Sequence, residues 1–153
     1  LRGCCGFLGA PKPLSQAIVE SAEITAKDDV RLAAISAQEL PYLHLDVSIL
    51  SAPIPLDCPP ESRSESVEVG RHGLRLTLGN SRGLLLPSVA IEQNWNATEF
   101  LDAVCRKAQL LDNTWKNRDA VVETFEAKCI EGAMEPDCLP ETIPPSRAPG
   151  SVK

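Results

Sequence analysis

Apolar positions in this chain change period several times, and each change predicts an element. Leu14, Ala17, Ile18, Ser21, Ala22 and Thr25 recur at helical spacing, which predicts a helix over 14–27 with Pro13 at its start. Ser36-x-x-Glu39 has capping-box spacing, but Pro41 stops that helix after one turn. From 43 to 50 the period becomes two: Leu43, Leu45, Val47 and Ile49 share one face, and His44, Asp46 and Ser48 the other. That predicts a strand with the four apolar side chains buried. Residues 51–66 are rich in proline and serine and read as a linker. Leu74–Leu78, then Gly79-Asn80-Ser81-Arg82-Gly83, then Leu84–Leu86 read as a hairpin with a five-residue loop. Asn96-Ala97-Thr98-Glu99 has cap chemistry, and Phe100, Leu101, Val104, Cys105, Ala108 and Leu111 follow at helical period. Residues 119–130 alternate again, with Val121, Glu123, Phe125, Ala127 and Cys129 on one side, as a strand. Prolines at 136, 140, 144, 145 and 149 with little apolar content predict a disordered tail over 131–153 behind a domain at 1–130. Helix, strand, hairpin, helix, strand is not the strict alternation of a doubly wound sheet, so the fold class is α+β with antiparallel sheet.

Composition narrows the function classes. A chain of 153 residues with 43% hydrophobic and 24% charged residues fits one globular domain or a two-lobed one. The net charge of −6, with 4% aromatic residues, predicts no nucleic-acid partner. No apolar run approaches the ~20 residues of a membrane helix. No basic–apolar–small-residue leader opens the chain, which predicts a cytoplasmic, intracellular protein that is not secreted. The six cysteines form no C-x-x-C and are expected as six free thiols. Asn96-Ala97-Thr98 matches a glycosylation sequon, but the cap reading is preferred.

Candidate chemistry begins at the first residues, where Gly3, Gly6 and Gly9 are spaced by three. This is not phosphate-loop spacing; it suits a strand with close backbone approach. On a strand over 1–8, Arg2, Cys4 and Gly6 would face one way and Gly3, Cys5 and Phe7 the other, with Phe7 marking the core side. Cys4 is then either a nucleophile or redox thiol favoured by Arg2, or a small side chain filling a tight interface. His72, between Arg71 and Gly73, is the better of the two histidines as a general base. Arg31, after Asp28 and Asp29, either binds an anionic ligand or caps helix carbonyls and bridges to an acid. Two histidines and no carboxylate cluster at ligand spacing predict no dedicated metal site. The residues name no cofactor.

The opening Leu1-Arg2-Gly3-Cys4-Cys5-Gly6 resembles the L-R-G-C-I-G signature of the AMMECR domain family, with Cys5 in place of isoleucine. Further segments resemble the same family in order: Asp29–Leu32, Val47–Ser51, Gly70–Leu74, Leu86–Val89, Trp95 to Leu101, and Cys105–Ala108. The resemblance implies two unequal lobes with antiparallel sheets and helices, separated by a cleft lined by Arg2, Gly3, Cys4 and Arg31. It implies no defined activity. In prokaryotes the family occurs with a Memo-type protein and a radical S-adenosylmethionine protein, which implies those as partners. Two readings follow. One is a binding or accessory module whose cleft takes a protein or other large partner; the other is a cysteine-dependent enzyme with Cys4 as reactive group and Arg2 and His72 assisting.

Overall fold

A computed structural model describes residues 2–9 and 11–133. Its helices are α1 (Leu14–Lys27), α2 (Pro87–Glu92) and α3 (Ala97–Lys107). Its strands are β1 (His44–Leu50), β2 (Ile54–Pro55), β3 (Gly73–Leu78), β4 (Ser81–Leu85), β5 (Val121–Phe125) and β6 (Ala127–Ala133). Short 3-10 segments lie at Leu40–Tyr42, Pro60–Ser66 and Thr114–Lys116. The fold is α+β, as the pattern predicts, and its chain divides into two units, residues 48–129 and the remainder.

Residues 48–129 are built on a four-stranded sheet in the order β2-β5-β3-β4, with antiparallel neighbours throughout. Leu74 and Leu76 alternate onto one face of β3, and Val122 of β5 sits opposite Leu76 in register. Phe100, Leu101, Val104 and Cys105 of α3 pack into the same core with Trp115 and Ala108. Burial pushes the Cys105 thiol pKa up. α3 starts where the cap chemistry predicts: Asn96 Oδ1 accepts from the Thr98 and Glu99 N–H groups, and the Glu99 carboxylate accepts from the Asn96 N–H. β4 comes so close to this helix that a Cβ on Gly83 would stand 2.5 Å from the Val104 carbonyl oxygen. Only glycine permits that approach.

Three sequence expectations are corrected here. Residues 51–66 are not a linker: β2 pairs with β5, and Arg63 is buried, donating through Nη1 to the carbonyls of Trp115 and Asn117. A run of prolines and serines is compatible with an edge strand and a 3-10 turn when a buried arginine anchors it. The hairpin loop has two residues rather than five, since Leu78 faces Ser81 in register and Gly79 takes φ +57. Glycine in the first turn position satisfies a two-residue turn, so Ser81-Arg82-Gly83 join the strand. The alternation over 119–130 breaks at Glu126, dividing the segment between two sheets. In β5, Val122, Glu123, Thr124 and Phe125 are all buried, because both faces of this inner strand are covered. On the face away from Val122, Glu123 forms a bidentate pair with Arg75 at 2.5 and 2.6 Å, and Phe125 stacks over Gly73.

In the other unit, α1 covers the residues its periodicity predicts but buries none of them. β1, which like β6 belongs partly to each unit, also forms as expected and pairs with β6, but its apolar face is not buried: Leu43, Val47 and Ile49 are half-buried and Leu45 is 47% exposed. A two-stranded sheet gives such a face little to pack against. The predicted strand over 1–8 does not form: residues 2–8 belong to no ladder. Residues 131–133 continue β6, and the rest of the expected tail, 134–153, lies outside the described residues, as does Leu1. Cys4, Cys5, Cys58 and Cys105 carry free thiols, while Cys138 lies outside the described residues. Among the described residues no helix is long and apolar enough to cross a membrane.

Candidate functional site

The unit that contains α1 concentrates its polar chemistry where that helix ends. Asp28 closes the helix by donating its N–H to the Ile24 carbonyl, and the chain turns through Asp29, Val30 and Arg31. Asp29 is only 6% exposed, and its carboxylate accepts the Arg31 N–H (3.2 Å), Arg31 Nε (2.8 Å), Arg31 Nη2 (2.7 Å) and the Cys4 N–H (3.0 Å). The Arg31 guanidinium, followed by the Cys4 amide, holds the Asp29 carboxyl well below the usual carboxylate range; Asp29 in turn raises Arg31. Arg31 Nη2 also donates to the Cys4 carbonyl at 2.6 Å.

Both backbone polar groups of Cys4 are thus satisfied by one aspartate–arginine pair, doing the work of a neighbouring strand. The Cys4 backbone is thus held in place with no strand beside it. The next amide, Cys5 N–H, donates to Thr25 Oγ1 of α1 at 3.1 Å. At Gly3 a Cβ would lie 2.7 Å from both Thr25 Cγ2 and the Thr25 carbonyl oxygen, so the segment approaches α1 this closely only with glycine there. From Gly3 on exposure alternates with a period of two, Cys4 and Gly6 exposed and Gly3, Cys5 and Phe7 half-buried, but Arg2, predicted on the Cys4 side, is half-buried. Phe7 does not reach a core; the Lys12 ammonium sits 4.2 Å from its ring centroid.

Arg2 is tied elsewhere. Its Nε donates to Glu39 Oε1 at 2.7 Å, and both terminal nitrogens reach the Ala33 carbonyl at 3.3 Å. Glu39 Oε2 accepts from the Ser36 N–H and hydroxyl, each at 2.8 Å. Only this half of the expected capping box forms. Arg2, then the Ser36 donors, bring the Glu39 pKa down to about 2. A depressed carboxylate pKa contributes stability above the unfolded value of about 4.3 and loses it as pH falls towards the folded value. The Ser36 amide should therefore keep its exchange protection from pH 7 to about 4.5 and lose it progressively between there and pH 2, measured by NMR. Protection unchanged across that window would contradict the Arg2–Glu39–Ser36 arrangement.

The structure brings Arg2, Gly3, Cys4 and Arg31 into one unit, with Arg31 acting as a bridge to an acid. His72 belongs to residues 48–129, where its Nδ1 accepts the Glu68 N–H at 3.1 Å. Beside it, Arg71 spans Glu68 (3.1 Å) and Glu126 (2.8 Å). Among the described residues no three His, Cys, Asp or Glu side chains are grouped so as to hold a metal ion. Sequence reasoning missed Asp29 and Thr25 as the residues that fix the segment. The Asp29-x-Arg31 spacing directly after a helix was the available signal for the first; nothing in the sequence singles out Thr25.

The chain thus joins an α+β fold with antiparallel sheets to a segment, residues 2–6, held by Asp29, Arg31 and Thr25. The AMMECR1 family profile matches residues 1–130, and this chain belongs to that family. It is 36% identical over 141 residues to Protein Ta0236 of Thermoplasma acidophilum, covering 92% of this chain and 68% of that protein. It is 40% identical over 131 residues to Protein TK0174 of Thermococcus kodakarensis, covering 86% of this chain and 64% of that one. The crystal structure of the uncharacterized protein PH0010 from Pyrococcus horikoshii superposes with a TM-score of 0.83 at 39% identity, covering 86% of this chain and 64% of that chain. The chain therefore spans roughly two thirds of the length of the relatives it matches.

Proposed function

We propose that this chain is a cytoplasmic binding or accessory module that recognises a protein partner through Arg2–Gly6 and the adjoining turn at 28–32. One observation carries this reading: Asp29 and Arg31 fix the backbone at Cys4 while leaving Cys4 exposed and Val30 100% exposed. A rigid segment presenting an apolar side chain loses little conformational entropy on docking, which favours recognition. Arg2, the charge that would assist chemistry at Cys4, is engaged with Glu39, and Arg31 with Asp29. The family resemblance supplies the partners to test, a Memo-type protein and a radical S-adenosylmethionine protein.

Titration calorimetry of this chain against each of those proteins tests the reading. The expected result is saturable binding to at least one, weakened about tenfold or more by Val30→Asp and changed less than about twofold by Cys4→Ser, the pattern of an apolar contact at an interface. Absence of saturable binding to both proteins, or an intact interaction in Val30→Asp, would overturn it. The alternative, a cysteine-dependent enzyme, rests on the exposed thiol of Cys4 and predicts a reaction that Cys4→Ser abolishes.

A further inference from the structure

No further inference is drawn: the strongest candidate, the exposed apolar surface that Leu14, Ile18 and Val19 form on α1, carries nothing because nothing in the structure shows what covers it.

Discussion

Asp29→Asn should release the signature segment while leaving the core of residues 48–129 folded. The substitution keeps the side-chain volume but removes the charge that gathers the Arg31 guanidinium, the Arg31 amide and the Cys4 amide. An asparagine replaces one acceptor oxygen with a donor, so it cannot receive this set. Arg31 then loses the partner that aims its Nη2 at the Cys4 carbonyl. Hydrogen bonds to charged groups are the stronger ones, so amide exchange at Cys4 should rise about ten- to hundredfold, with a smaller rise at Cys5. Exchange in α3 and β3 should not change. An unaltered Cys4 amide in Asp29→Asn would show that the aspartate does not hold the segment.

Phe100→Ala should produce the largest loss of stability. Phe100 is fully buried on α3, within the cluster that includes Leu74, Leu76, Leu101 and Trp115. Removing a buried aromatic ring combines lost transfer energy with an unfilled cavity, together about 3–5 kcal/mol. Leu111→Ala gives the contrast. Leu111 continues the same sequence periodicity but lies beyond the end of α3 and is 84% exposed, so its loss should stay within about 0.5 kcal/mol. Urea denaturation followed by tryptophan fluorescence measures both, because Trp115 lies in the affected core. A loss below about 1 kcal/mol for Phe100→Ala would contradict the core assignment.

These two residues also mark how far the sequence carries. Local signals predict elements well: α1 forms with the expected bounds, and α3 starts at its expected cap but ends at Lys107, short of Leu111, because the apolar period continues past the residues that pack. β1 forms where its alternation predicts, yet its burial was not legible, because burial depends on what lies opposite, and a two-stranded sheet offers little. The hairpin was placed correctly and its loop length was not, since one glycine with positive φ lets the ladder close over two residues. The misread linker at 51–66 was settled by a long-range bond, Arg63 to the carbonyl of Trp115, which no local pattern contains.

The candidate site divides in the same way. Alternation along residues 2–7 agrees with Cys4 exposed and Cys5 half-buried but not with Arg2, which is half-buried. It wrongly implied a strand, because the backbone partners of Cys4 are side chains from positions 29 and 31 rather than another strand. Arg2 was expected beside Cys4 as an assisting charge; Glu39, 37 positions away in sequence, takes it instead.

The proposed function requires residues 2–6 and 28–32 to act as a fixed recognition surface. Hydrogen–deuterium exchange of this chain, alone and in the presence of excess Memo-type or radical S-adenosylmethionine protein, tests it most directly. The expected result is added protection confined to residues 2–6 and 28–32 with one of the two proteins, and none in α3 or β3. Protection confined to other segments, or none with either protein, would contradict the claim.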